Sequence, residues 1–334
     1  MLVGAPVPLL SIRLIRGSTG CVSLLFSYTM ALHKPPRLRP GDLIGIISPA
    51  AAVQAETLHR GCEALERLGF SICIGTHALD RYRFLAGTDR DRADELTTMF
   101  QDPTVRAIFC SRAGYGSGRL LPLLDLPVLV RTPKIFLGYS DVTLLLNALV
   151  QQIGLVCFHG PAVAGEFANG LSARSRSHLL SLLTAGRGEE RIAFPTVIRE
   201  GVAEGQLLGG CLSLLVTTLG TPFTLDTAGA ILFIEDVGEK PYRIDRMLIH
   251  LKQAGKLDNL AGVIFGEMSG CLGEANDPTL LLSVIADVFA DYSYPVGFGF
   301  PAGHGGENLT LPLGVRVRLD ANQRHLTFLE SAVS

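Results

Sequence analysis

DLIGIISPAAAVQAETLHRGCEALERL, residues 42–68, is the stretch on which the fold turns. Asp42–Ser48 is short, apolar and β-branched, and it stops at Pro49, the signature of a buried strand. Val53–Leu68 then sets Leu58, Cys62, Leu65 and Leu68 at helical spacing. The alternation continues, with strands at Ser71–Ile74, Val105–Cys110, Ile135–Gly138 and Leu155–Phe158. Thr88 and Asp89 open a helix that runs to about Phe100, and Asp141–Gln152 reads as another. Such an order implies parallel βαβ units and an open sheet covered on both faces.

At about 150 residues per domain, 334 residues suggest two domains. The alternation weakens after Gly165, where a Ser/Arg-rich helix and a polar stretch follow. A second apolar set then begins, with a strand at Ala230–Glu235 and helices at Tyr242–Ala254 and Thr279–Phe289. The expected fold is α/β. An N-terminal doubly wound, mostly parallel sheet domain covers 35–165, a linker 166–204, and a second, smaller α/β domain with a mixed sheet 205–334. Residues 1–34 read as an extension, disordered or preceding a start at Met30. A secretory leader is the alternative there, because Arg13 and Arg16 precede an apolar run, yet no small-residue cleavage site follows it.

Twenty-nine Lys+Arg against 31 Asp+Glu give a formal charge of −2, so no basic footprint points to nucleic acid or an anionic membrane. With 48% hydrophobic and 18% charged residues, the chain can build a large core, which excludes disorder. Seven scattered cysteines without a CxxC imply neither a disulfide scaffold nor a zinc finger, and read as a reducing compartment. No stretch reaches 18 uninterrupted apolar residues, so the expectation is a soluble protein.

Three stretches carry candidate chemistry. In IFCSRAGYGSGRLLP a strand runs into Gly114-Tyr-Gly-Ser-Gly118, and Arg119 begins a helix. Ser117 on such a turn reads as a nucleophile elbow, as a dinucleotide turn lacking its third glycine, or as a plain helix cap. In ILFIEDVGEKPYRIDRMLIH, Glu235 and Asp236 end a strand, where α/β sheets place functional groups, although both could be solvated turn residues. In PVGFGFPAGHGGENLTLPLG, His304 stands among glycines that could project it into a cleft as a general base. Glu307 alone does not complete a metal set with it. His159 in CFHGPA reads as a turn histidine, His250 as structural, and GYSDVT (Gly138–Thr143) as a helix cap.

Together with GDLIGIISPA, FLAGTDRDRADEL, FLGYSDVTLLLNAL and LLGGCLSLL, these stretches resemble the LD-carboxypeptidase family of serine peptidases, which includes microcin-immunity hydrolases. Ala113 departs from the glycine usual before Gly114-Tyr115-Gly116. The resemblance implies a Ser-Glu-His triad, matched onto Ser117 as nucleophile, Glu235 as orienting carboxylate and His304 as general base. It places the oxyanion at the amide of Gly118, with Gly87 as second donor, and the site in the cleft between the domains.

A free substrate carboxylate calls for a cation, with Arg112, Arg119 and Arg243 as candidates. The family's reaction is cytoplasmic release of terminal D-alanine from murein tetrapeptides, in a homodimer, with no metal or cofactor and no nucleic-acid or membrane partner. Two other readings stand beside it. One is a microcin-immunity-type hydrolase of aminoacyl-nucleotides, disfavoured by the absence of Trp and by 7% aromatic residues. The other is a non-catalytic small-ligand-binding α/β protein.

Overall fold

The structure, a computed structural model, describes residues 31–188, 191–273 and 278–334, and describes 9–16 and 22–29 by their backbone alone. Those last two segments, Leu9–Arg16 (β1) and Val22–Thr29 (β2), pair antiparallel. Part of the expected N-terminal extension therefore has strand backbone. The rest of the expectation for residues 1–30 lies outside the described residues.

Five parallel strands form most of the first sheet: Leu43–Ile47 (β3), Ser71–Ile74 (β4), Val105–Cys110 (β5), Ile135–Gly138 (β6) and Cys157–His159 (β7). Ile44, Ile46, Ile108, Phe109, Phe136 and Leu137 are buried, as befits parallel strands covered on both faces. Helix Ala55–Arg67 (α1) buries Leu58, Cys62 and Leu65, the row its spacing predicted. Helix Asp89–Gln101 (α2) is closed by a capping box between Thr88 and Asp91. Leu126–Leu129 (α3) is a single turn before β6, and Thr143–Ile153 (α4) follows it.

Segment 166–204, read as a linker, carries more regular structure than the helix expected there. It holds helix Ala173–Ala185 (α5), strands Arg191–Ala193 (β8) and Thr196–Arg199 (β9), and the start of Val202–Cys211 (β10). The strands are too short and polar to stand out in sequence, but Ile192 and Phe194 are buried and anchor them. The second sheet continues through helix Leu212–Thr217 (α6), strand Ala230–Val237 (β11), helix Pro241–Gln253 (α7) and strand Gly262–Ser269 (β12). Helix Pro278–Val288 (α8) and strand Val296–Phe298 (β13) follow. Leu311–Leu313 (β14) then crosses back to the first sheet, antiparallel to β7, before Arg316–Asp320 (β15) and His325–Phe328 (β16). The first sheet runs β14-β7-β6-β5-β3-β4 and the second β8-β16-β15-β10-β11-β12-β13-β9, mixed and the wider of the two.

One joint between the sheets positions the site. The Asn147 side chain on α4 donates to the Gly209 carbonyl at 2.8 Å and accepts from the Gly209 N–H at 3.0 Å. Thr143 Oγ1, at the start of α4, accepts from the Cys211 N–H at 3.1 Å. This approach needs glycine at 209 and 210, where φ is +120° and +138°. A Cβ at 209 would lie 2.0 Å from the Phe233 carbonyl, and one at 210 would lie 2.5 Å from Thr143 Oγ1. Asn147→Leu leaves both Gly209 groups unpaired and is expected to cost about 2–4 kcal/mol in denaturant unfolding. An unchanged midpoint would show that the joint is dispensable.

Candidate active site

Because Cys211 docks on α4 and stands in register with Glu235 on β11, the joint brings the C-terminal end of β11 toward the start of α4. That start is the GYSDVT turn. Gly138 ends β6, and Ser140–Val142 form a 3₁₀ turn that leads into α4. Ser140 has φ +59°, a left-handed conformation that costs a non-glycine residue free energy. The turn is clamped from behind, because the Ser117 hydroxyl donates to the Asp141 carbonyl at 2.6 Å and the Ser117 N–H to Asp141 Oδ2 at 2.7 Å. A strained serine between a strand and a helix is the geometry of a nucleophile elbow.

Opposite it, Glu235 is fully buried, and its Oε2 accepts a 2.6 Å hydrogen bond from His304 Nδ1. The 303–308 loop lies directly on the carboxylate. A Cβ at Gly303, where φ is +121°, would come within 2.8 Å of Glu235 Oε2. Asn308 Oδ1 accepts from the Gly303 N–H at 3.1 Å and fixes the loop. Ser140, Tyr139, His304, Arg112 and Gly114 line one cleft of about 490 Å³. The Tyr139 ring packs 4.9 Å from that of His304, centroid to centroid.

The electrostatics are those of an ion pair. Burial pushes Glu235 up, but the nearby imidazole of His159 and the hydrogen bond and charge of His304 outweigh it and hold the carboxyl below its usual range. Burial pulls His304 toward the neutral form. The hydrogen bond and charge of Glu235, with Asp236 and Glu166, outweigh that and raise its pKa. Asp236 is turned away and accepts from the Ser213 and Val237 N–H groups.

The structure thus brings Glu235 and His304 together but keeps Ser117 apart from them. Ser117 has no exposed surface, its hydroxyl is committed to Asp141, and it does not line the cleft. As a correction to the sequence reading, it is a brace behind the Ser140 turn. Gly118 and Arg119 line a different cavity of about 500 Å³, and Arg119 is held by Asp89 at 2.6 and 2.8 Å. Gly87 is buried beside Asp80 and Asp91 at the head of α2, and Arg243 is exposed beside Glu239 and Tyr242. Of the three arginines, only Arg112 reaches the His304 cleft. Sequence reasoning missed Ser140 by reading its turn as a cap. The signal was there: Gly138-Tyr139-Ser140 is the first half of G-x-S-x-G between a strand and a helix.

Residues 44–160 match the LD-carboxypeptidase N-terminal domain, and 204–319 match its C-terminal domain. The murein tetrapeptide carboxypeptidase of Pseudomonas aeruginosa is 32% identical over 84% of this chain and 94% of its own. The chain belongs to the LD-carboxypeptidase family. Its α/β architecture is shared with the microcin C7 self-immunity protein MccF of Escherichia coli, 30% identical over 89% of this chain and 96% of its own. MccF in complex with glutamyl sulfamoyl guanosine superposes with a TM-score of 0.81, at 26% identity, over 90% of this chain and all of that one. A muramoyltetrapeptide carboxypeptidase from Oxalobacter formigenes superposes with a TM-score of 0.78, at 31% identity, over 85% of this chain and 97% of that one. The family is one of peptidases, so the cleft belongs to a hydrolase. Among the described residues, no helix is long and apolar enough to cross a membrane.

Proposed function

We propose that this LD-carboxypeptidase family member is a serine peptidase that releases the terminal D-alanine of murein tetrapeptides, with Ser140 as its nucleophile. The observation that carries this reading is the left-handed Ser140, set in the same cleft as a histidine already oriented by a buried carboxylate. Glu235 occupies His304 Nδ1, so Nε2 is the nitrogen left to face substrate. Ser140 Oγ attacks the carbonyl of the diamino acid while His304 takes its proton, and Glu235 stabilises the imidazolium. The Asp141 N–H, which follows the nucleophile, and the Gly114 backbone across the cleft receive the oxyanion. Collapse of that intermediate expels D-alanine, whose amine takes the proton from His304. Water activated by the same histidine then cleaves the acyl-enzyme.

A carboxypeptidase must hold a free carboxylate, and exposed Arg112 supplies a cation at the cleft. Arg112→Ala is expected to raise KM about tenfold with kcat within about threefold of the parent, the mark of lost uniform binding. A fall in kcat alone would remove it from carboxylate recognition. A homodimer that recycles wall peptides in the cytoplasm completes the reading. Light scattering of the purified protein checks the assembly.

Release of D-alanine from L-Ala-γ-D-Glu-meso-diaminopimelate-D-Ala, followed by mass spectrometry, tests the assignment. A second reading has one observation behind it, the superposition on MccF, which was solved with aminoacyl sulfamoyl nucleosides. Against it, this chain has no Trp, and the aromatic ring beside His304 is Tyr139. Aspartate release from aspartyl sulfamoyl adenosine, with none of D-alanine from the tetrapeptide, would favour that second reading. A MccF variant described as an active-site mutant has a serine among its replaced residues, which supports serine chemistry in the family.

A further inference from the structure

The reaction derived above uses one imidazole, but Glu235 faces two. His159, at the C-terminal end of β7, has no exposed surface, and its Nε2 lies 3.8 Å from Glu235 Oε1. Among the described residues, neither His159 ring nitrogen has a hydrogen-bond partner, and neither has Glu235 Oε1. Buried polar atoms are almost always paired, because an unpaired one forfeits its hydration without return. Here two of the three, His159 Nε2 and Glu235 Oε1, face each other directly behind the site. At 3.8 Å the contact is just longer than a hydrogen bond, and too short for a water to sit between.

The ring is closely held. It packs edge-on against Phe233 at 5.1 Å and Tyr139 at 5.8 Å, and its backbone is in register with Gly138, two residues before Ser140. His159 therefore belongs to the first sheet and the carboxylate to the second.

We propose that His159 is a positioning residue whose Nε2–H donates to Glu235 Oε1 in the substrate-filled cleft, holding the carboxylate from the side opposite His304. The inference rests on the triad reading of Ser140, Glu235 and His304. The carboxylate then has one oxygen fixed by each sheet, so its aim at His304 depends on the two sheets being correctly seated. The donor also draws negative charge away from the oxygen that faces His304. Without it, Glu235 would hold the His304 proton more tightly and keep the base occupied to higher pH. The other groups that face this pair stay in place: Asp236 from β11, Cys211 from β10, Tyr139 from the serine turn and Glu166 from the 163–167 turn.

The test compares His159→Phe, which keeps a flat ring without a donor, with His159→Gln, whose amide carries an N–H near the Nε2 position. The readout is the rate of covalent labelling by a fluorophosphonate as a function of pH, with Ser140→Ala as control. For His159→Phe we expect a plateau rate about tenfold lower and an acid limb about half to one pH unit higher, with His159→Gln within about threefold of the parent. If the phenylalanine does not fold, His159→Met replaces it as the donor-free variant. A donor-free variant with the parent's plateau and limb overturns the proposal. So does equal impairment of the folded donor-free and glutamine variants, which would make the role one of packing. Labelling that is absent from the parent, or unchanged in Ser140→Ala, defeats the nucleophile assignment instead. The His304 ring titration, followed by NMR in the same variants, then judges the His159 contact by itself.

Discussion

Ser140→Ala is expected to lower kcat for D-alanine release by a factor on the order of 10⁴–10⁶, while Ser117→Ala stays within about tenfold of the parent. The contrast follows from where the two hydroxyls go. Ser140 is held in a left-handed turn in the cleft with His304, whereas Ser117 is sealed behind that turn and donates to the Asp141 carbonyl. Removing the Ser117 hydroxyl deletes one buried hydrogen bond. That loss is worth about 1 kcal/mol of stability and loosens the turn slightly, so thermal unfolding should record it more clearly than catalysis does. An inactive, folded Ser117→Ala beside an active Ser140→Ala would reverse the assignment.

Glu235→Gln should be nearly as damaging, with kcat down by about 10³–10⁴. An amide at this position can present its NH₂ to His304 Nδ1 and force the tautomer with its proton on Nε2, which can no longer take the Ser140 proton. The pH profile supplies a second, independent sign. In the parent, Glu235 raises the His304 pKa against the pull of burial, so activity should climb through a midpoint above the ordinary histidine value of about 6.5 as His304 loses its proton. Without the carboxylate, burial is opposed only by the charges of Asp236 and Glu166, and the residual activity should have its acid limb shifted down. A limb that stays put would mean that the titrating group is not His304.

The first sheet was legible because parallel strands buried on both faces write themselves as unbroken apolar runs. β3, β5 and β6 lie where those runs predicted them, and the edge strand β4 lies where the alternation placed it. Glu235 and His304 were legible because a strand end and a glycine loop are local features. The choice of serine was not. Two glycine-bearing turns, at 114–118 and at 138–140, both follow strands of the first sheet. The first has more glycines, yet it leads only to the 3₁₀ turn Ser117–Arg119. The second reaches the site because Thr143 and Asn147, a few residues on, dock against β10 some 65 residues away in sequence. No local pattern records that contact. His159 was hidden for a related reason. It looks like a turn residue until β14, from the far end of the chain, closes over the strand that carries it.

That closure has a consequence for biosynthesis. β7 is complete once residue 159 has left the ribosome, but its outer partner, residues 311–313, is translated roughly 150 residues later. At about 5–20 residues per second, this leaves the nascent first sheet with an open edge for roughly 8–30 s. An open edge is a template for pairing with other chains. The newborn polypeptide is therefore most exposed to misassembly during the interval before residues 311–313 emerge. Slowing translation within 160–310 should lengthen that interval and lower the soluble yield more than the same delay placed before residue 150, ahead of β7.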